Sequence, residues 1–212
     1  MTVAPKYRSI DDLRRDHMQR RDEIRNRLAE FAAVPASEYY YELAYCLMTP
    51  QSSAANAEKA VDTLKHANLL ESDIDPSNVL VSKTHYIRFH NTKARWLLEA
   101  KKKLPEILSV LNGELPSPEV RRWLVEHVHG LGWKEASHFL RNIGHRNLAI
   151  LDRHILRNLK RHGVIRTLPR SLTPARYRAI EERFNRFAGH VGIPMDELDL
   201  VFWSRETGKI LK

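Results

Sequence analysis

The sequence predicts an all-α fold. Apolar residues recur at helical spacing in segment after segment, strand-type alternation is nearly absent, and Pro, Gly or Asn separates the periodic stretches. Ser9-Ile-Asp-Asp12 has the form of a capping box. It opens a charged helix with Ile10, Leu13, Met18, Ile24, Leu28 and Phe31 along one side, ended by Pro35. A second helix from about Ser37 is apolar on most faces, through Tyr40, Leu43, Ala44 and Leu47, and is expected at the centre of a core. Thr49-Pro50-Gln51-Ser52 breaks it, and Ser53–Leu64 forms the next helix. Further helices are expected near Ser77–Ser82, Asn91–Lys103, Pro105–Leu111, Pro118–Val128, Lys134–Asn142, Arg153–His162, Pro174–Ala188 and Met195–Thr207, about ten in all.

Composition narrows the function classes. A chain of 212 residues is long enough to bury a sizeable core without staples. The single cysteine, Cys46, rules out an internal disulfide, a four-cysteine zinc site and a cysteine-held iron–sulfur cluster. It lies in the apolar run LAYCLM, as a core residue would. No apolar run approaches the ~20 residues of a membrane span, and the first residues lack a signal-peptide core, so a soluble, cytoplasmic protein is expected. The net charge is +9. Residues 121–170 hold 11 Lys/Arg against three acids, leaving the other 24 basic and 23 acidic residues almost balanced. Such concentration is the footprint of a phosphate-binding face, and polyanions are the expected partners.

That basic segment contains a helix, the turn His129-Gly-Leu-Gly132, and a second helix. A helix start presents unpaired amides and partial positive charge, and glycines let a phosphate approach the backbone. A hairpin of this kind suits a sequence-independent grip on a nucleic-acid backbone, and His-Gly-Leu-Gly by itself equally fits an ordinary helix–helix connection. Lys134 falls in the first turn after it, where the helix dipole favours an acid. The same field favours the neutral amine that a nucleophilic lysine needs, so Lys134 is open between nucleophile and phosphate contact. Trp133 beside it is placed to keep such a site dry. Asp152, after Leu148-Ala-Ile-Leu151, has the position of an N-cap for the next helix, and capping amides stabilise the anion. Six histidines lie in the same segment, but His127 and His129 do not share a helix face and no H-E-x-x-H pairing occurs, so transition-metal spacing is missing.

The string H-G-L-G-W-K-E-A-S-H-F-L-R-N-I-G, followed by L-A-I-L-D-R-H-I-L-R, resembles the helix–hairpin–helix plus Gly/Pro-Asp signature of base-excision DNA glycosylases. It is most similar to the type-2 8-oxoguanine DNA glycosylase/lyases of archaea and bacteria. Cys46-Leu-Met-Thr-Pro-Gln51 resembles their early helix and strand-wedging loop, and Arg88-Phe-His-Asn-Thr-Lys-Ala94 resembles a second wedging loop. Lys160–Ile165, Asp199-Leu-Val-Phe-Trp203 and the terminal Gly-Lys-x-x-Lys extend the likeness over residues 38–212. The resemblance implies that Lys134 attacks the deoxyribose C1′ and forms a Schiff base, and that Asp152 supports departure of the base. It implies a base pocket of Trp203, His138 and Lys212 with its terminal carboxylate. DNA contacts would come from Gln51, Phe89, His90, Gly130, Gly132, His154 and Arg157. Backbone carbonyls of Glu126, Val128 and Leu131 would hold a structural monovalent cation, with no other cofactor required. Unlike endonuclease III-like members, this chain has no four-cysteine cluster, and Met48-Thr-Pro-Gln51 departs from family variants with Asn at the wedge.

The implied fold has two helical subdomains with the active-site cleft between them. Residues 36–132 form a central bundle, 1–35 plus 133–212 a discontinuous terminal subdomain, and the helix–hairpin–helix at 118–143 lies at their junction. The implied activity is excision of 8-oxoguanine from double-stranded DNA and cleavage at abasic sites, by a monomer associated with the nucleoid and not with a membrane. Two alternatives stay open at this point: a glycosylase for another oxidised or mispaired base, and a non-catalytic helix–hairpin–helix module. A pure clamp needs neither a helix-start lysine nor its distant aspartate.

Overall fold

The computed structural model describes residues 7–210, and among them there are ten α-helices and no strand. The chain divides into two compact units, one formed by Val34–Phe139 and the other by residues 1–33 with 140–212. Relative to the expected division at 132/133, the central unit runs on to Phe139, through most of the hairpin's second helix, and includes Lys134.

In the central unit, α2 (Tyr39–Met48) is buried from Tyr40 to Met48, as its all-round apolar character predicts, and Cys46 lies fully buried within it. The Tyr40 hydroxyl donates to the Leu97 carbonyl at 3.0 Å, joining this helix to α5 (His90–Leu111). Two short elements intervene. The helix α3 (Ala54–His66) is capped by the Ser53 hydroxyl, and α4 (Pro76–Leu80) by Asp75 with proline in its first turn. The unit ends with α6 (Ser117–His127) and the start of α7 (Trp133–Asn142).

The expected break before Pro105 is absent, because α5 is continuous through it. A proline removes one backbone hydrogen bond and strains one turn. Leu97 and Ala100 before it and Ile107 after it are all buried, and a continuous helix keeps them on one stripe.

The terminal unit packs α1 (Ile10–Ala32) against α10 (Met195–Thr207), with α8 (Arg153–Arg161) and α9 (Pro174–Val191) completing the core. Leu13, Ile24, Leu28 and Phe31 form the buried stripe of α1, but Met18 is 72% exposed. At 100° per residue Met18 lies far off the line through the other four, so it does not belong on that side. The Ser9 capping box is also absent: Ser9 has φ 51° and its side chain makes no cap hydrogen bond. A capping side chain needs an extended backbone at that position. Asp11 and Asp12 are left to complement the helix dipole. His162, fully buried, stacks between Phe187 and Phe202 and bonds the Arg8 carbonyl through Nδ1 at 2.8 Å.

Candidate active site

In the central unit, α6 ends at His127, and residues 128–132 turn the chain into α7. The Val128 amide closes on the Leu124 carbonyl, and the Leu131 amide on that of Val128. Gly130 has φ 89°, and a Cβ there would lie 2.4 Å from the Trp96 ring, so this position needs glycine for both backbone and space. Gly132 has no such backbone demand, but a Cβ there would meet the Glu135 carboxylate at 2.9 Å. Glu135 thus folds back over the turn.

Lys134 is in the first turn of α7, its side chain 27% exposed and its Nζ 3.2 Å from Glu135 Oε1. Trp133 is half-buried, with the Arg121 guanidinium 4.7 Å from its ring. The His138 ring packs edge-on against Tyr45, centroids 5.8 Å apart. Arg121 and Arg141 are buried, donating to Ser137 and Asp199 respectively. These two of the eleven local cations are structural, while Arg122, Arg153, Arg157, Lys160, Arg161, Arg166 and Arg170 are exposed. Among the described residues, no three His, Cys, Asp or Glu side chains converge on a metal position.

Both expected wedge residues stand on left-handed backbone, Gln51 at φ 58° and Phe89 at φ 61°. Gln51 is exposed, Phe89 is 50% exposed with the Arg88 guanidinium over its ring, and His90 packs against Tyr86. The two turns are tied together. The Arg88 amide donates to Ser52 Oγ at 3.0 Å, and Asn56 Nδ2 donates to the Tyr86 carbonyl at 3.1 Å.

In the terminal unit, residues 148–151 form a buried run outside any helix that ends at Asp152. Helix α9 braces it. Glu181 accepts from the Ala149 amide, and the Tyr177 hydroxyl accepts from the Leu151 amide while donating to the Ala149 carbonyl. Asp152 caps α8, with Oδ1 accepting from the amides of His154 and Ile155, both at 2.8 Å. Oδ2 accepts from neither. The His154 ring lies 5.1 Å from that of Trp203, and Glu206 lies 3.6 Å from its Nδ1, so the cap, His154 and one expected pocket residue meet in one cluster. Arg157 is exposed on the same helix, while Lys212 falls outside the described residues.

Three groups here escaped sequence reasoning. Asp199, buried in α10, has its carboxyl pushed up to about 7 by burial, against the pull of Arg141 and with repulsion from Asp152 and Asp196. Lys93, 2% exposed, places Nζ 2.7 Å from the Met48 carbonyl and 2.6 Å from that of Pro50. Glu135 faces Lys134 and adds its field to Lys93. One signal for Lys93 was available, since it shares a helical stripe with Leu97, Ala100 and Ile107.

The family model for 8-oxoguanine DNA glycosylase matches residues 24–193. An 8-oxoguanine DNA glycosylase/AP lyase of Fusobacterium nucleatum is 37% identical, covering 98% of this chain and 99% of the relative. One of Korarchaeum cryptofilum is 36% identical over 96% and 99%. The crystal structure of the Methanocaldococcus jannaschii 8-oxoguanine glycosylase/lyase in complex with 15mer DNA containing 8-oxoguanine aligns with a TM-score of 0.85. That structure is 29% identical, and the alignment covers 96% of this chain and 99% of that one. Match of a family model over most of the chain, identity above a third along nearly its whole length and a shared helical architecture lead to one assignment: the chain belongs to the 8-oxoguanine DNA glycosylase family.

Proposed function

We propose that this protein is a bifunctional DNA repair enzyme that excises 8-oxoguanine from double-stranded DNA and cleaves the strand at the resulting abasic site. One observation carries the reading: its near-full-length likeness to relatives named as 8-oxoguanine DNA glycosylase/AP lyases. A base inside a duplex is out of reach of such chemistry, so the nucleotide must be extruded at a cost of a few kcal/mol. The hairpin and the exposed cations of 121–170 supply the backbone grip that offsets this cost. Gln51 and Phe89, exposed on tied turns, fill the vacated stack.

Lys134 is the nucleophile of this scheme. Its neutral amine attacks C1′ while the bond to the base breaks, and the base leaves with the bonding electrons and takes up a proton. The attacking nitrogen gives up a proton, the C1′–O4′ bond breaks with O4′ taking up a proton, and the ring-opened adduct becomes a protonated imine between Nζ and C1′. Loss of a C2′ proton then expels the 3′ phosphate by breaking the C3′–O bond, so one lysine serves both steps. Asp152, an anion fixed by two amides, supports the positive charge that develops on the sugar as the base departs. The family resemblance assigns recognition of the base to Trp203, His138 and Lys212, and a monovalent cation at the hairpin to the carbonyls of Glu126, Val128 and Leu131. The site of action is the nucleoid of the cytoplasm.

Borohydride trapping on duplexes holding 8-oxoguanine or an abasic site tests the scheme. Wild type yields a covalent protein–DNA adduct and Lys134→Gln yields none. An undiminished adduct in the variant removes Lys134 from the role, and no adduct from wild type removes the lyase mechanism.

A further inference from the structure

We propose that Lys93 is a positioning residue for base extrusion, its buried side chain holding the Thr49–Ser52 turn in the shape that presents Gln51 to the duplex. The proposal rests on the glycosylase reading above and extends it to a residue that touches no DNA. Lys93 Nζ reaches across more than forty residues to three oxygens of one turn: the carbonyls of Met48 and Pro50, at 2.7 and 2.6 Å, and Ser52 Oγ at 3.5 Å. Met48 is the last residue of α2, where carbonyls lack helical partners and a cation is favoured.

Between these anchors stands Gln51 on left-handed backbone, a conformation that is strained for a non-glycine residue and persists only where neighbours impose it. The same lysine is linked to the second turn. Its amide bonds the Phe89 carbonyl at 3.0 Å, and Ser52 Oγ, which its Nζ faces, accepts from the Arg88 amide. The buried ammonium thereby braces the Gln51 turn directly and reaches the Phe89 turn only through Ser52.

Packing alone gives no reason for a lysine on this stripe of α5. Burying an ammonium costs several kcal/mol, and an apolar side chain would fill the place at lower cost. Desolvation does draw the Lys93 pKa down to about 8, with Glu135 opposing the shift. The return for this cost is a set of donor hydrogens aimed at the carbonyls where α2 runs out into the turn.

The test compares Lys93→Met with wild type on two substrates, an 8-oxoguanine duplex and a single-stranded oligonucleotide with an abasic site. An unpaired strand has no partner strand from which a nucleotide must be unpaired and no opposite base to hold. In single-turnover kinetics the variant loses at least about tenfold more rate on the duplex than on the single strand, the scale of a released loop conformation. Combined with Gln51→Ala, it adds less than about twofold to the loss, because both changes remove one device. Equal loss on the two substrates, a fully additive double variant or an unaffected duplex rate overturns the proposal. Should Lys93→Met fail to fold, Ser52→Ala, in the tie between the turns, carries the same test. It shows the same duplex-selective loss, and equal loss on both substrates or none overturns the proposal. Failure of the glycosylase reading shows in wild type, as no trapped adduct on either substrate, whereas failure of the positioning role shows only in the variants.

Discussion

At the scale of single residues, Asp152 has two jobs that one substitution separates. Asparagine caps helices about as well as aspartate, so Asp152→Asn keeps α8 and costs less than about 1 kcal/mol of stability. It removes the fixed anion, and base excision is expected to fall about a hundredfold or more while duplex affinity changes only a few-fold. Single-turnover excision beside fluorescence anisotropy measures the two. Excision at the wild-type rate would reduce Asp152 to a cap. The placement of Lys134 and Asp152 at helix starts was legible in the sequence because helix starts are local: a glycine turn or an apolar run marks each one. Lys93 was not, because its partners at Met48 and Pro50 lie 45 and 43 positions away. Its place on the apolar stripe of α5 hints at burial, but no local pattern names the carbonyls it meets. The basic count failed in the same way for Arg121 and Arg141, whose burial depends on contacts that no local pattern records.

At the scale of elements, the hairpin gives an asymmetric prediction for its two glycines. Gly130→Ala puts a side chain on φ 89° backbone and drives Cβ to 2.4 Å from Trp96, a bulky ring carried by α5. We expect about 2–4 kcal/mol of destabilisation from strain and overpacking, with weaker duplex binding. For Gly132→Ala the obstacle is the end of the Glu135 side chain at 2.9 Å, which can swing aside, so the loss is expected near 1 kcal/mol or below. Urea denaturation of the two variants decides it; equal losses would mean the turn tolerates both. Periodicity was enough to find most of the helices, α2 above all, whose apolar surround is the property that places it in the core. It errs where one rule is applied without its competitor. Proline alone argues for a break at Pro105, but the buried stripe continues past it, and residue type alone makes Ser9 a cap, but its backbone is left-handed.

For the whole molecule, stability against pH should carry the mark of Asp199. Its carboxyl ionises near 3.8 in an unfolded chain and near 7 in the native one. Between those values the native state holds the extra proton, so this group makes stability fall as pH rises from about 4 to about 7, and contributes no further slope above. Asp196, raised by burial in the same unit, acts in the same direction. In Asp199→Asn the Asp199 share of the slope is gone, and the variant gains on wild type as pH is raised from 5 to 8. Urea midpoints at the two pH values check this, and a constant difference would mean that Asp199 is ionised throughout.

The nesting of the two units also has a consequence for the order of events during synthesis. Val34–Phe139 is a contiguous stretch, complete once Phe139 has left the ribosome. The other unit packs α1 against α10, through pairs such as Arg25 with Glu197 that lie 172 residues apart. The first helix is therefore made early and must wait, its apolar stripe of Leu13, Ile24, Leu28 and Phe31 uncovered, until the last helix emerges. Prior folding of the central unit shortens the effective loop that must close, which eases a contact otherwise slow to form. The dense charge around that stripe, from Asp11 and Asp12 through Arg20, Arg21 and Asp22 to Arg27 and Glu30, suits a segment that spends this interval in water.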